Sequence, residues 1–377
     1  MVWVFWSAAG FFIYTFAGYP LVLWLISLWH SRPHRRAAIQ PQVSIIIAAH
    51  NEAAAIRGKI LNCLELSYPE DKYEIIVSSD GSDDGTTEIV RSFSQQGVKL
   101  IDIPYRRGKQ YAQMLARDAS RGEILVFTDA GVELEPDSLQ KIVSNFADPL
   151  VGCVSSEDQL IKDKGGWIGE RFYVQLEMRL RRLESRIGSV VSASGSFFAA
   201  RRSVCEFWYT DQTSDFFVPL NAVSRGLRAA VDPESIGRYG LVRSEKDELQ
   251  RKVRTIVNGL HVFFSHHHLL NPFRYGLFSW QLISHKLFRW LTPFAILLLM
   301  ISNLSLWNAS TFYRACLALQ VGVHGAGLLA LAADRLTQWK PIKLAGYFLL
   351  GNAATLMAWS YFLAGEKFVT WQPTRRG

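Results

Sequence analysis

Acidic side chains follow two of the most apolar segments in the first half of the chain. The segment EILVFTDAG has the composition of a buried strand, yet it ends on Asp129, followed by Ala130 and Gly131. Asp80 ends the apolar segment EIIVSSD in the same way. A carboxylate is costly to bury without a partner. We therefore expect Asp129 to lie at a strand tip, either in water or beside a cation.

The loop SSDGSDDGT, residues 78–86, adds Asp83 and Asp84 to Asp80. Two interpretations are open for Asp83 and Asp84, which could bind a ligand or cap the helix that follows. Asp80 stands at the strand tip itself. It is therefore better placed to accept hydrogen bonds from the imide or hydroxyl groups of a ligand.

A basic segment, RRGKQYAQMLA, opens a helix directly after a strand. Gly108 and Lys109 fall at the N-terminal end of this helix. Free N–H groups, the helix dipole and a cation together favour phosphate binding at such a place. The alternative is a solvated basic turn with no ligand.

The elements that position these residues alternate between strands and helices. The segments VSIIIAAH, EIIVSSD, VKLIDIP and EILVFTDA are predicted strands, and helical patterns separate them. This order predicts parallel pairing in a doubly wound α/β sheet, whose ligands bind outside the carboxyl ends of the strands. Asp80, Asp129 and the group His50, Asn51 and Glu52 should then meet at one edge.

The segments VSIIIAAHNE, EIIVSSDGSDDGT and RRGKQYAQMLARDASRGEILVFTDA together resemble the family-2 inverting glycosyltransferases, over roughly residues 41–255. The flanking apolar segments resemble the membrane-bound branch that includes cellulose, hyaluronan and poly-N-acetylglucosamine synthases. The resemblance implies an A-type glycosyltransferase (nucleotide-diphospho-sugar transferase) fold. It also implies a nucleotide-sugar donor, most simply a UDP-sugar.

The resemblance also implies roles for single residues. Asn51 and Glu52 would line the nucleotide pocket, Asp80 would contact the uridine base or ribose, and Lys109 would lie near the nucleotide. Asp129 would be the first acid of a D-x-D motif that holds Mg²⁺ or Mn²⁺ on the diphosphate. Such a metal has a physical basis, because it offsets the charge that develops on a leaving diphosphate.

The D-x-D motif is incomplete in this chain. Its second acidic position is occupied by Gly131, which supplies neither a side chain nor a charge. Diphosphate oxygens and water could complete the metal's coordination. Glu133 could replace the missing acid only if the loop bent it back.

An inverting transfer needs a general base beside the acceptor hydroxyl. The segment TDQTSDFFVPLNAV resembles the family segment that carries this base, which assigns the role to Asp215, with Asp211 as the runner-up. A helix cap is the alternative role for Asp215. The upstream segment SGSFFAARR resembles the acceptor-side strand, and its small residues Ser194 and Gly195 would leave room for a sugar.

The processive synthases of the family carry a Q-x-x-R-W motif on an interface helix. Its best counterpart here is Arg251 to Thr255, in which Arg254 takes the position of the arginine and would clamp the donor diphosphate. Arg251 and Thr255 replace the glutamine and the tryptophan. The tryptophan that would stack on an acceptor sugar is missing, which argues against processive polymer synthesis.

Two other polar groupings favour structural roles. The adjacent histidines of SHHH, residues 265–268, point in different directions on a helix, so an interfacial polar patch is expected there and not a metal site. Glu177 and Arg181 are four residues apart, which is the spacing of an ion pair on a helix face.

Composition restricts the class of protein. The 377 residues are 49% hydrophobic, with a formal net charge of +8, and the four cysteines form no C-x-x-C pair. A reducing compartment is expected, and zinc ribbons or a disulfide framework are not. Much of the basic excess lies beside apolar segments, without the patterns of nucleic-acid binders, so no nucleic acid is expected.

Residues 2–29 contain no charged side chain and are long enough to cross a bilayer. The basic segment HSRPHRRAA follows them, which places that end in the cytoplasm. Three more apolar candidates lie at residues 291–307, 315–333 and 344–364. Four crossings would put the basic C-terminal tail outside, against the positive-inside rule. Re-entry of one C-terminal segment, or a tail that breaks the rule, would explain this conflict.

The predicted organisation is an anchor (1–30), a cytoplasmic glycosyltransferase domain (41–240), amphipathic interface helices (241–290), transmembrane helices (291–365) and a tail (366–377). The expected protein is a multi-pass enzyme of the inner (plasma) membrane. It would transfer a sugar with inversion to a growing polysaccharide or to a lipid-linked acceptor. A polymer product would call for partner proteins of an export system. The other alternative is a nucleotide-binding regulatory subunit without catalysis.

Overall fold

A mixed sheet forms the centre of the soluble domain in the computed structural model, which describes residues 1–161, 168–240, 245–332 and 339–371. The order of its strands is β3-β2-β1-β4-β7-β6-β8-β5. β1, β2, β3 and β4 run parallel, as the sequence predicts, and β7 runs antiparallel to β4 and β6. The strands are β1 (Val43–Ala49), β2 (Tyr73–Asp80), β3 (Val98–Ile103), β4 (Ile124–Asp129), β5 (Glu133–Leu134), β6 (Val151–Leu160), β7 (Phe197–Arg201) and β8 (Arg228–Tyr239).

Helices cover both faces of the sheet and continue into the membrane region. Short π-helical segments, Tyr14–Gly18 and Ile283–Leu287, join α1 to α2 and α11 to α12. The α-helices are α1 (Val2–Ile13), α2 (Tyr19–Trp29), α3 (Ala53–Leu64), α4 (Thr86–Arg91), α5 (Lys109–Ala119), α6 (Ser138–Ser144), α7 (Ile168–Ile187), α8 (Ser214–Ser224), α9 (Glu245–Ser265), α10 (Pro272–Tyr275), α11 (Leu277–Leu282), α12 (Phe288–Ser305), α13 (Thr311–Ala332) and α14 (Lys340–Leu363).

Both faces of the central strands are buried, which explains their continuous apolar sequence. In β1, Ile45 and Ile47 pack into the core on one face, and Ile46 packs into a separate core on the other. All three side chains are fully buried.

The register of the parallel strands brings the predicted acids to one edge. Ala48 of β1 pairs with Asp129 of β4, and Ala49 pairs with Ser79, the residue before Asp80. Asp80 and Asp129 therefore flank the carboxyl end of β1, as parallel pairing requires.

Three helices among the described residues are long and apolar enough to cross a membrane: Val2–Trp29, Leu277–Ser305 and Thr311–Ala332. The second differs from the sequence prediction, because residues 277–290 were expected to form a separate interface helix. They instead continue through the π-helical segment Ile283–Leu287 into α12.

The segment predicted as a further span, residues 344–364, forms α14 up to Leu363, and this helix packs alongside the amphipathic helix α9. Ala354 and Ala358 of α14 are buried in one cluster with Val253 and Val257 of α9. Beyond α14, the backbone carbonyl of Phe368 accepts a hydrogen bond of 3.0 Å from Asn258. The chain after α14 therefore returns to the side of α9. This packing does not favour a crossing by α14, which stays a prediction.

Candidate active site

A cavity of about 1290 Å³ lies between the carboxyl edge of the sheet and the long apolar helices. Its walls include the predicted site residues Glu52, Lys109, Asp129, Gly195, Asp215 and Arg254. The structure therefore brings most of the predicted site into one place. Asn51, Asp80 and Ser194 do not line this cavity but lie directly behind its walls.

Asp129 and Lys109 form an ion pair at the inner end of the cavity. Asp129 is the last residue of β4, and Lys109 is the first residue of α5, preceded by Gly108. The ammonium group of Lys109 donates to Oδ1 of Asp129. The cation beside the Asp129 carboxylate is therefore a lysine of the protein itself.

Asp80 orders the loop that carries Lys109. Its side chain is fully buried, and its two oxygens accept the backbone N–H groups of Arg107 and Gly108 at 2.6 and 2.8 Å. The adjacent Gly81 has a φ of 61°, and an added Cβ would lie 2.6 Å from the backbone nitrogen of Arg106. Asp80 thus fixes the start of α5 through the backbone. Direct contact between Asp80 and a nucleotide stays a prediction.

The loop after β1 places Glu52 on the cavity wall. Asn51 adopts a left-handed conformation with φ of 53°, and its side-chain oxygen accepts the Asp83 N–H at 3.0 Å. Asp84 accepts the N–H groups of Ala53 and Thr86 at 2.9 and 3.0 Å. Asp84 therefore acts as a turn and helix-start residue, in line with the capping interpretation.

Asp215 lies in the first turn of α8 and borders the cavity. A Cβ added at Gly195 would lie 3.2 Å from its Oδ2, so the glycine leaves room beside this carboxylate. Burial raises the pKa of the Asp215 carboxyl, while Lys109 and Arg181 oppose that rise. A raised pKa makes this carboxylate a stronger base than an exposed aspartate, which suits proton removal.

Asp158 is a site residue that the sequence analysis missed. It lies near the end of β6 and lines the cavity. Ser194 is fully buried and donates a hydrogen bond of 2.6 Å to Oδ1 of Asp158, and the hydroxyl of Ser196 donates to the same oxygen. Ser194 therefore orients Asp158, and Gly195 and Ser196 form the wall. The signal was present, because VGCVSSED also ends an apolar run on acids.

Two cations, Lys109 at the start of α5 and Arg254 of α9, lie near Asp129. Burial lowers the pKa of Arg254, as do Arg251 and Arg106, while Asp129 opposes the shift. Nε and Nη2 of Arg106 are buried without a hydrogen-bond partner among the described residues. A concentration of positive charge with unused donors is suited to a diphosphate.

The tail after α14 covers the inner end of the cavity, which no sequence pattern indicated. Phe368, Val369 and Trp371 all contribute to the cavity wall. Gly108 has a φ of 104°, and an added Cβ would lie 2.5 Å from the carbonyl oxygen of Val369. The tail therefore lies against the glycine that precedes Lys109.

The adjacent histidines and the Glu177–Arg181 pair contact other residues of the protein. Among the described residues, no group of three or more His, Cys, Asp or Glu side chains could hold a metal. His266 is buried with Nδ1 against the Val262 carbonyl, and His268 contacts the Ser224 hydroxyl. Arg181 and Glu177 form the predicted ion pair at 3.4 Å, although both also line the cavity.

The residues present fit a divalent cation only together with a substrate. Asp129 offers one carboxylate, and Mg²⁺ is commonly held by one or two carboxylates plus substrate phosphates and water. A Cβ added at Gly131 meets no heavy atom within 4 Å, which leaves space for such ligands. Glu133 is exposed in β5 and does not line the cavity, so nothing in the structure supports it as a replacement ligand.

Gly131→Asp is expected to raise the affinity for Mn²⁺ in the presence of nucleotide by at least about tenfold, because it restores a second carboxylate in open space. Electron paramagnetic resonance of bound Mn²⁺ measures this affinity. Gly131→Asn adds similar bulk without charge and is the matched control. Equal affinities for the two variants would contradict a metal at this position.

Comparison with known proteins agrees with this geometry. Residues 44–208 match the family described as Glycosyl transferase family 2. A poly-beta-1,6-N-acetyl-D-glucosamine synthase of Staphylococcus epidermidis is 26% identical over 213 residues, which cover 52% of this chain and 51% of the relative. The glycosyltransferase AglE of Haloferax volcanii is 32% identical over 144 residues, covering 37% of this chain and 47% of the relative. The matches thus span about half the length of these curated relatives.

Among solved structures, a mannosyltransferase from Pyrobaculum calidifontis, determined with GDP-Man and Mn²⁺, is similar over nearly its whole length. The alignment covers 96% of this chain and 99% of the other at a TM-score of 0.75 and 24% sequence identity. The predicted fold is therefore confirmed. Residues 44–208 are thus similar to family-2 glycosyl transferases, and the chain has the A-type glycosyltransferase fold together with apolar helices long enough to cross a membrane.

Proposed function

We propose that the protein is a membrane hexosyltransferase that moves a sugar, with inversion, from a nucleotide sugar to an acceptor at the cytoplasmic face. One observation carries the proposal. A single cavity joins the cationic surroundings of Asp129, the carboxylate of Asp215 and a wall of membrane helices. The donor, the base and an acceptor that reaches the site from the bilayer would therefore meet there.

The cationic end of the cavity would hold the donor diphosphate. Lys109 and Arg254 line it, and Arg106, which has two unused donors, is near enough to Arg254 to lower its pKa. When bound, Mg²⁺ or Mn²⁺ on Asp129 and the diphosphate would supply further positive charge against the leaving group. Asp80 would keep Lys109 in place through its two backbone hydrogen bonds.

Asp215 would act as the general base. Its carboxylate removes the proton of the acceptor hydroxyl as that oxygen bonds to the anomeric carbon of the donor sugar. The bond from the same carbon to the diphosphate breaks on the opposite side, and the nucleoside diphosphate leaves with the bonding electrons. Space beside Gly195 admits the acceptor next to Oδ2 of Asp215.

We propose a lipid-linked acceptor that receives a single sugar. The cavity wall includes side chains of the candidate membrane helices, such as Phe12 and Val323. The position of the stacking tryptophan on the interface helix is occupied by Thr255. A growing polysaccharide remains the second candidate, favoured by the similarity to a poly-N-acetylglucosamine synthase.

Product sizing tests the proposal. The purified protein, in nanodiscs of its host lipids, is given radiolabelled nucleotide sugars with Mn²⁺, and the products are separated into lipid-soluble adducts and polymer. A lipid-soluble adduct of one sugar supports the proposal, and a long polymer supports the second candidate. A regulatory subunit would neither transfer nor hydrolyse the donor, whereas a competent enzyme without acceptor slowly hydrolyses it in water.

Three crossings, with α14 alongside α9, predict that the tail and the soluble domain share the cytoplasmic side. In a Cys316→Ser background, a membrane-impermeant maleimide applied to intact spheroplasts should label Asn308→Cys, between α12 and α13. It should not label Thr370→Cys in the tail or Ser94→Cys in the soluble domain. All three positions are exposed in the structure. Labelling of Thr370→Cys from outside would contradict this arrangement and indicate that α14 crosses.

A further inference from the structure

The outer part of the cavity, towards the membrane helices, contains a cluster of cations that the proposed transfer does not use. Arg181 of α7, Lys286 of the second π-helical segment and Arg289 of α12 all line it, together with Glu177 and His285. The three cations exceed the single Glu177 carboxylate that they share. Asp158 and Asp215 also act electrostatically on Arg181, and Glu184 acts on Lys286, so the cluster is distinguished by unused hydrogen-bond donors and not by an excess of charge.

Arg181 carries the clearest sign of a missing partner. The residue is only 9% exposed, and its Nε and Nη1 make no hydrogen bond to any described residue. The Glu177 carboxylate lies 3.4 Å from Nε but accepts its hydrogen bond of 2.8 Å from Arg289. A buried guanidinium with unused donors is costly unless an acceptor occupies the space that it faces.

The ammonium group of Lys286 is also only loosely paired with Glu177. Its ammonium nitrogen lies 4.0 Å from Glu177, which is longer than a hydrogen bond, and it sits over the ring of Phe216 at 5.3 Å. Arg181 and Lys286 are both close enough to Asp215 to act on its carboxylate electrostatically. An anion held between these two cations would thus lie beside the base.

The remaining wall is apolar and reaches the lipid-facing surface. Phe16, Val323 and Leu344 line the cavity, yet they are 41%, 38% and 44% exposed. They come from the first π-helical segment, α13 and α14, and Phe12 and Phe348 complete this wall. Apolar side chains exposed on membrane helices face lipid tails, so a hydrocarbon chain could run from the bilayer to the cationic cluster.

We infer that this end of the cavity binds a phosphate-bearing lipid acceptor, with Arg181 and Lys286 on the phosphate oxygens and the apolar wall on the hydrocarbon chain. The inference deepens the proposed function and rests on it. Because Arg181 and Lys286 both act electrostatically on Asp215, the reacting hydroxyl and the phosphate would lie in the same part of the cavity. Arg181 and Lys286 would therefore be acceptor-binding residues, separate from the donor cations around Asp129.

Lipid binding tests the inference without requiring transfer. The full-length protein in detergent is titrated with a polyprenyl monophosphate, the matching uncharged polyprenol and inorganic phosphate, with intrinsic tryptophan fluorescence as the readout. We expect the polyprenyl phosphate to bind at least about tenfold more tightly than either of the others, because only it uses both the charge and the apolar wall. Equal binding of the alcohol, or of free phosphate, would overturn the inference.

Amino-acid substitutions test whether Arg181 and Lys286 bind the lipid phosphate. Arg181→Gln and Lys286→Gln should each weaken polyprenyl phosphate binding by about ten- to hundredfold, and Arg181→Lys should weaken it less. Glu177 keeps Arg289 and His285 as partners when Arg181 is changed. The matched control is Arg179→Gln on the same helix, whose side chain is exposed and outside the cavity wall. Wild-type affinity in folded Arg181→Gln and Lys286→Gln proteins would refute the assignment.

A second readout separates this inference from the proposed function. Nucleotide-sugar binding and slow donor hydrolysis are measured in parallel for the wild-type protein, Arg181→Gln and Arg179→Gln, and the exposed control Arg179→Gln should retain both. Loss of lipid binding with retained donor hydrolysis supports an acceptor site. If wild-type protein neither binds nor hydrolyses any nucleotide sugar, the proposed function fails, while the lipid titration still reports on the cationic cluster by itself.

Discussion

Asp215→Asn is expected to lower the rate of sugar transfer by about 10²- to 10⁴-fold, the usual contribution of a general base, while nucleotide-sugar binding stays intact. The amide has the same shape as the carboxylate but cannot accept the acceptor proton. Burial raises the pKa of Asp215. As the pH is lowered, the wild-type transfer rate should therefore begin to fall at a pH above the usual pKa range of aspartate. Single-turnover rates across pH, with calorimetric measurement of donor binding, check both expectations.

Asp211→Asn is the control for this prediction, because Asp211 was the alternative base in the sequence. Asp211 pairs with Lys367 of the tail at 2.6 Å and does not line the cavity. Its variant should retain most of the transfer rate. A strong loss in Asp211→Asn combined with activity in Asp215→Asn would reverse the assignment.

Asp129→Asn should lower the transfer rate by about 10²- to 10³-fold, comparable to the loss of one preorganised charge contact at a developing anion. The amide would neither pair with the Lys109 ammonium nor provide an ionised oxygen for a divalent cation. Initial rates measured over a Mn²⁺ titration check this, since the variant should also need more metal for half-maximal activity.

Glu133→Gln is the matched control for Asp129. It removes a neighbouring carboxylate that is exposed on β5 and lies outside the cavity wall. Its rate and its metal requirement should stay near wild-type values. A metal requirement altered by Glu133→Gln and not by Asp129→Asn would move the metal ligand to Glu133.

The inner edge of the site could be predicted from the sequence because parallel topology fixes it. Once β1, β2 and β4 are parallel neighbours, Asp80 and Asp129 must end at the same edge, whatever the details of packing. The position of Lys109 follows in the same way, because a helix that returns after β3 begins at that edge. These inferences need only strand order and direction.

The rest of the site depends on contacts that no local pattern encodes. The two backbone partners of Asp80 are set by how the chain turns through Arg107 and Gly108. The approach of Val369 to Gly108 joins residues from opposite ends of the sequence. Likewise, the hydropathy of residues 344–364 suggested a span, whereas burial of Ala354 and Ala358 against α9 is visible only in three dimensions.

The walls of the cavity come from both ends of the chain, since Phe12 precedes the first strand of the sheet and Phe348 follows the last. A version cut down to the sheet and its covering helices would keep Asp129 and Lys109 but lose the surface on which a lipid could rest. A fragment released from the bilayer by proteolysis should therefore still bind nucleotides but lack the binding surface for a lipid acceptor.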